Sequence, residues 1–208
     1  MKTPVISIVL PTYNGAHYIR ESIESCLTQT FTDFELIIVN DCSTDGTSAI
    51  IKEYAEKDKR IVAVTNPFNK KLPLSLNTGF DLAQGSYYTW TSDDNVYAAD
   101  ALATMLQALQ HDSSIDLVYA DYTQIDEFSK VIGTRTFGDI NKSFHNWHGC
   151  GACFLYKKEV HVKNNGYRPE AFLIEDYDFF VRGFLNFRFG YLPRTDLYFY
   201  REHDTSLT

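Results

Sequence analysis

The first two-thirds of the chain alternates short apolar runs with amphipathic stretches, and no other feature restricts the possible folds as much. Val5-Ile6-Ser7-Ile8-Val9-Leu10 reads as a buried strand stopped by Pro11. Ile19, Ile23, Cys26 and Leu27 then recur at helical spacing, and residues 34–39 form a second buried strand. Asp45-Gly46-Thr47 turns the chain into a helix carrying Ile50, Ile51 and Tyr54. A strand over residues 61–65, a helix over 74–82 and a strand over 87–91 follow. A helix over 98–109 and a strand over 117–120 continue the rhythm. Strand–helix alternation of this kind predicts an α/β fold, Rossmann-like, with a mostly parallel central sheet and helices on both faces. Ligands in such sheets bind beyond the C-terminal ends of the strands.

Polar residues gather where that rule looks for them. Asn14 ends the first strand, Asp41 the second and Asp93-Asp94 the fourth, so three strands deliver polar groups to one edge. Loops are polar in any fold, and the bland reading of each residue alone stays open. After about residue 122 the rhythm changes to a hairpin or meander over 125–136, then to an aromatic and Gly-rich stretch over 144–154. We read this as a second half built onto the same sheet. No Ser/Gly/Pro-rich linker, internal repeat or low-complexity segment marks a boundary, which predicts a single domain over residues 1–208.

A chain of 208 residues with 44% hydrophobic composition can bury one sizeable core. Its formal net charge of -8 argues against a nucleic-acid partner, because that affinity comes from clustered Lys and Arg releasing counterions. An acidic protein that binds a diphosphate needs a cation or helix N-termini between the two negative partners. Cys26, Cys42, Cys150 and Cys153 sit in a chain with no secretory leader pattern, so a cytoplasmic protein with reduced thiols is expected. Cys150-Gly151-Ala152-Cys153 has a redox spacing, but one pair is only half a zinc site and no thioredoxin-like unit surrounds it. No apolar run approaches the roughly 20 residues that span a bilayer. Membrane attachment, if any, would be peripheral or through further sequence.

Two acidic clusters carry chemistry. Asp93-Asp94 follows a strand, and adjacent carboxylates repel unless a cation occupies the site; the competing reading is an N-cap for the helix near Ala98. Mg²⁺ or Mn²⁺ takes one or two protein carboxylates and completes its shell with water and phosphate oxygens. Glu175-Asp176-Tyr177-Asp178 opens an apolar stretch at helical spacing. Acids there favour the helix dipole, or one of them serves as a general base for a hydroxyl nucleophile. Helical spacing allows at most one or two of the three to face a single cleft, and makes Asp178 the bystander.

In order, Ser7-Ile8-Val9-Leu10-Pro11-Thr12-Tyr13-Asn14-Gly15, Ile38-Val39-Asn40-Asp41-Cys42-Ser43-Thr44-Asp45-Gly46-Thr47 and Ser92-Asp93-Asp94-Asn95 resemble the successive motifs of glycosyltransferase family 2. Asn77-Thr78-Gly79, Asn165-Gly166-Tyr167, Glu175-Asp176 with Arg182, and the terminal Tyr200-Arg201-x-His203-x-x-Ser206 also look like that family. The resemblance covers essentially the whole chain. It implies a GT-A fold, with a nucleotide-binding half over residues 1–95 and an acceptor-binding half over 96–208. It also implies an inverting transferase using a nucleotide diphosphate sugar, a UDP-sugar first, and a Mn²⁺ or Mg²⁺ ion. The acceptor would be a saccharide or a lipid-linked saccharide, met at the inner face of the membrane if lipid-linked.

By the same resemblance Pro11, Thr12, Tyr13 and Asn14 line the base and ribose, and Asp41 hydrogen-bonds the base. Asn69, Lys70 and Asn77 join the donor-binding set. Asp93 and Asp94 match the metal motif, Asp94 being the direct ligand, and His203 matches a histidine near the diphosphate. Asp176 matches the catalytic base, with Glu175 beside it. Many members carry Asp-x-Asp-Asp at the metal motif, whereas Thr91-Ser92-Asp93-Asp94 lacks the leading carboxylate. Many also continue past the histidine motif, so the chain is expected to be a piece of a longer protein. Trp147, Tyr167 and Phe172, on the expected acceptor side, suit stacking on sugar faces and suit a core equally. Two rivals are a sugar-nucleotide-binding module without turnover and a nucleotidyltransferase. The second would need a Gly-rich basic loop after the first strand, where this chain reads Pro-Thr-Tyr-Asn-Gly-Ala-His.

Overall fold

A computed structural model describes residues 3–147, 149 and 152–204. Its first half runs β1 (Ile6–Thr12), α1 (Ile19–Leu27), β2 (Phe34–Asn40), α2 (Thr47–Lys57), β3 (Ile61–Thr65), α3 (Lys71–Leu82) and β4 (Tyr87–Trp90). The short β5 (Val96–Tyr97), then α4 (Ala101–His111) and β6 (Leu117–Ala120), lead to a hairpin, β7 (Tyr122–Ile125) and β8 (Val131–Arg135). After α5 (Ile140–Ser143) come β9 (Cys153–Lys157), α6 (Lys158–Asn164), α7 (Glu175–Phe184), β10 (Phe189–Leu192) and β11 (Tyr198–Arg201).

The main sheet has the order β10-β6-β9-β4-β1-β2-β3, parallel except for β9, which runs antiparallel to both β4 and β6. The second half therefore does extend the first half's sheet. It also builds a smaller sheet, β5-β11-β7-β8, which the sequence rhythm did not separate from the main one.

Period-2 alternation sorts the β1 side chains between two cores. Ile6, Ile8 and Leu10 pack with Ile19, Ile23 and Met105 on the face covered by α1, α2 and α4. Val9 points the other way, into a cluster with Leu76 and Phe80 of α3 and Phe179 and Phe180 of α7. A fully buried aliphatic chain of this kind contributes roughly 1.5–3 kcal/mol. Close helix–sheet contact also fixes Gly79, because a Cβ there would lie 2.4 Å from Cγ1 of Val9.

Pro11 does not stop β1, which pairs with β2 through Pro11 and Thr12. The Thr12 carbonyl accepts from Asp41 on the β2 side and the Val9 carbonyl from Thr91 on the β4 side. By alternation the missing Pro11 N–H faces β4, beyond the last paired residue Val9, so no ladder bond is lost. Helix α4 begins at Ala101 with Asp100 as its N-cap residue, so neither Asp93 nor Asp94 caps it.

The chain runs from β1 outward to β2 and β3, then returns to β4 on the other side of β1. This reversal leaves a crevice at the C-terminal ends of β1, β2 and β4.

Candidate functional site

The crevice is a cleft of about 770 Å³. Pro11, Thr12, Tyr13 and Asn14 line it from β1, Asp41 from β2, and Asp93 and Asp94 from the segment after β4. Asn14 adopts φ 57°, a left-handed conformation that asparagine tolerates. Its Oδ1 accepts from Thr44 N at 2.8 Å and its own N–H donates to Ser43 Oγ at 2.9 Å, which ties the two loops together. Tyr13 is left 51% exposed at the rim, its ring available to a planar ligand.

Thr12 Oγ1 donates to Asp93 Oδ2, and Gly15 lies so close that a Cβ there would sit 2.0 Å from that oxygen. Burial pushes the Asp93 carboxyl up to about 7, with the neighbouring Asp94 adding to the shift and the Thr12 bond opposing it. Burial also raises Asp94, opposed by His203, whose Nε2 lies 3.0 Å from Asp94 Oδ2. The other oxygen, Asp94 Oδ1, is buried with no hydrogen-bond partner among the described residues. A buried carboxylate oxygen without a partner is costly and calls for a ligand. Among the described residues no group of three or more His, Cys, Asp or Glu side chains forms a ready metal cage. Asp94 and His203 do fit a hard divalent ion that takes few protein ligands and fills its remaining positions with phosphate oxygens and water. Asp93 is instead engaged by Thr12.

Arg201, which the sequence reading passed over inside the histidine motif, is what places His203. Its side chain is 1% exposed. The guanidinium donates to the Asp94 carbonyl at 2.8 Å, to the Asp126 carbonyl at 3.1 Å and to Glu21 at 2.5 Å. It also lies 4.8 Å over the Tyr18 ring, and that ring meets the His203 imidazole at 4.9 Å. Nothing in the sequence beyond its place two residues before His203 marks Arg201, and it takes the fold to reveal its burial and its acceptors.

On the opposite chain half, Glu175, Asp176 and Tyr177 line the cleft at the first turn of α7. Leu173, held at φ 75°, donates its N–H to Glu175 Oε2 at 2.7 Å. Glu175 is thereby spent on fixing the turn that delivers its neighbour. Asp176 Oδ1 is buried without a partner among the described residues, and burial, with the Glu175 charge adding, holds its carboxyl well above the usual carboxylate range. Such a carboxyl is a stronger base than an ordinary aspartate. Asp178 is paired at 2.6 Å with Arg182.

Several expected residues lie elsewhere. Asn77 is not in the cleft lining: its amide donates to Tyr167 O at 2.7 Å and accepts from Tyr167 N at 2.9 Å, so both its groups are used to staple α3 to the second half. Lys70 turns its side chain toward Thr78, 3.4 Å away, while Asn69 and Lys71 line the cleft. Asp41 lines it too, but its carboxylate already accepts from Asn66, Lys70 N and Lys71 N at 2.8–2.9 Å. Trp147 and Tyr167 are core residues, 3% and 1% exposed, and of the three aromatics proposed for sugar stacking only Phe172 reaches the cleft. Cys153 is buried and free, its thiol pushed up by burial; Cys150 lies outside the described residues.

Comparison with known proteins agrees with this architecture. The sequence model of glycosyl transferase family 2 matches residues 7–163. An uncharacterised glycosyltransferase of Methanocaldococcus jannaschii is 31% identical over 193 residues, covering 89% of this chain and 67% of that protein. Residues 1–349 of TarS from S. aureus, solved with UDP-GlcNAc, superpose with a TM-score of 0.83 at 20% identity, over 97% of this chain and 60% of that one. A mannosyltransferase of Pyrobaculum calidifontis, solved with GDP-Man and Mn²⁺, gives a TM-score of 0.73 at 19% identity, over 97% and 57%. The fold is thus the GT-A fold, and the chain spans about three-fifths of those two structures. By sequence and by architecture, this chain belongs to glycosyl transferase family 2.

Proposed function

We propose that the chain transfers a sugar from a nucleotide diphosphate donor to an acceptor hydroxyl, with inversion and with Asp176 as the base. The observation that carries this reading is the pair of buried carboxylate oxygens without partners, Asp94 Oδ1 and Asp176 Oδ1, on residues lining one cleft. One suits a cation and the other suits a proton donor. UDP is the first donor nucleotide to test, since relatives of the same fold have been solved with UDP and UDP-GlcNAc, and another with GDP-Man.

In this reading Tyr13 stacks on the base, and Asp41 holds the 66–71 loop in place while its Oδ2 offers a remaining lone pair to the base. Asp94 and His203 would hold Mn²⁺ or Mg²⁺, which supplies electrostatic stabilisation of the departing diphosphate. Asp176 takes the proton from the acceptor hydroxyl as that oxygen attacks the anomeric carbon, and the nucleoside diphosphate leaves from the opposite face. Positioned proton transfer of this kind is worth roughly 10²- to 10⁴-fold. Glu175 holds the turn that aims Asp176. No helix among the described residues is long and apolar enough to cross a membrane. The acceptor is a saccharide, free or lipid-linked, in polysaccharide or glycoconjugate synthesis. A nucleotide-release assay over UDP-, GDP- and dTDP-sugars with Mn²⁺ tests the reading. Release of nucleotide from none of them would overturn it.

A further inference from the structure

The cleft has a second wall. Register in the small sheet pairs Tyr122 of β7 with Arg135 of β8, and Tyr200 of β11 with Gln124, two residues along from Tyr122. Side chains two apart share a face, so Tyr122, Arg135 and Tyr200 project from three adjacent strands to the same side. All three line the cleft, together with Phe137. The rings form a continuous run: Tyr122 stacks on Tyr200 with centroids 5.0 Å apart and meets Phe137 at 5.5 Å.

Arg135 at the end of this run is unusual for the chain. Arg20, Arg60, Arg168, Arg182, Arg194 and Arg201 each pair with a carboxylate of the same protein. The Arg135 guanidinium makes no ion pair or hydrogen bond among the described residues. Arg188 shares that lack but lies outside the cleft. In a chain of net charge -8, acids are plentiful, and the nearby Glu202 carboxylate is instead engaged by the Gln124 amide. A planar guanidinium left unpaired beside aromatic rings is matched to a carboxylate or phosphate oxygen pair, and aromatic faces are matched to the apolar face of a sugar ring.

We propose that Tyr122, Phe137, Tyr200 and Arg135 form an acceptor subsite for an acidic saccharide, one bearing a carboxylate or a phosphate that Arg135 binds. This inference rests on the transferase reading for the term acceptor, but the binding it asserts stands on the wall itself. In the transferase reading the donor base lies at Tyr13 and Asp41, which follow β1 and β2 of the main sheet, and Lys71 lines the cleft with them.

The test is binding of three probes, methyl glucoside, methyl glucuronide and glucose 6-phosphate, followed by ligand-observed NMR with and without UDP and Mn²⁺. Wild type should bind at least one acidic probe about tenfold more tightly than the neutral one, the scale of one charge-assisted hydrogen bond. The stronger of the two acidic probes identifies the anion. Arg135→Ala should reduce the acidic probe to the neutral level, Arg135→Lys should restore part of the difference, and UDP affinity should stay unchanged in both. Arg135 is exposed on an edge strand, so neither variant should alter the thermal midpoint. Equal or undetectable binding of acidic and neutral probes by wild type would overturn the subsite. So would a loss of UDP affinity in Arg135→Ala, which would assign the guanidinium to the donor diphosphate. Failure of wild type to bind UDP would count against the transferase reading and leave the sugar comparison intact.

Discussion

Asp94 Oδ2 and His203 Nε2 lie 3.0 Å apart although 109 positions separate them in the chain. The contact joins the motif after β4 to the end of β11, and it leaves the other Asp94 oxygen buried and free for a cation.

UDP binding should therefore depend on a divalent ion and on this pair. With UDP at about 100 times its dissociation constant, Mn²⁺ should let the nucleotide stabilise the fold by roughly 2.7 kcal/mol. Thermal shift measures it directly. Asp94→Asn and His203→Ala should each lose most of that gain, and equal stabilisation in Mn²⁺ and in EDTA would refute the metal role.

Asp41→Asn should cost stability as well as donor affinity. The carboxylate accepts three donors, two of them the backbone N–H groups of Lys70 and Lys71, and an amide nitrogen turned toward either leaves it unsatisfied. A loss of roughly 1–3 kcal/mol is expected from denaturant unfolding. A variant as stable as wild type would mean that Asp41 does not hold the loop.

Asn77→Ala should separate fold from site. Its two bonds to the Tyr167 backbone predict a loss of roughly 1–3 kcal/mol in unfolding free energy. UDP affinity, measured by titration calorimetry well below the melting point, should not change, because the side chain does not reach the cleft.

The Asp93 site should make the metal-free protein lose stability as pH rises from about 4 to 7. Against it works the His161 imidazole, which burial lowers from 6.5 to about 4 and which adds stability as pH rises through the same window. Burial raises Asp93 from 3.8 to about 7 and raises Asp94, Glu175 and Asp176 as well. The folded chain holds these protons to higher pH than the unfolded chain, so unfolding releases protons in this window and rising pH favours it. For Asp93 the effect is at most on the order of 4 kcal/mol, lessened by solvent at the cleft. Glu53 works oppositely: its bond to Arg20 lowers it to about 2, so its contribution is lost only as pH falls below about 4. Urea unfolding at several pH values checks this. Asp93→Asn should make stability rise more with pH across this window than it does in wild type, and an unchanged pH dependence in the variant would contradict the assignment.

Much of this was legible beforehand because it is periodic. The runs at residues 5–10 and 34–39 had one burial solution, while 61–65 forms a mostly exposed edge strand, and the strand–helix order then placed Asn14, Asp41 and Asp93-Asp94 at one edge. What the sequence hid was where side chains spend their hydrogen bonds. Asn77 and Lys70 sit in motifs that look like donor contacts, yet Asn77 is consumed by Tyr167 and Lys70 turns to Thr78. Arg201 and Glu21 stand 180 positions apart and meet only through the small sheet. Tyr122 and Arg135 become neighbours through strand register, which composition cannot encode.

The central claim is that Asp176 removes the acceptor proton while Glu175 only holds the turn before it. Asp176→Asn keeps the shape and removes the basicity, so nucleotide release from a UDP-sugar in the presence of acceptor should fall about 10²-fold or more, with UDP affinity nearly unchanged. Glu175→Gln keeps an oxygen that can accept the Leu173 N–H, so it should retain most activity. Comparing kcat for these two variants, alongside UDP affinity for each, is the most direct test. An inactive Asp176→Asn beside an active Glu175→Gln is the result expected; near wild-type turnover by Asp176→Asn with a dead Glu175→Gln would contradict the account.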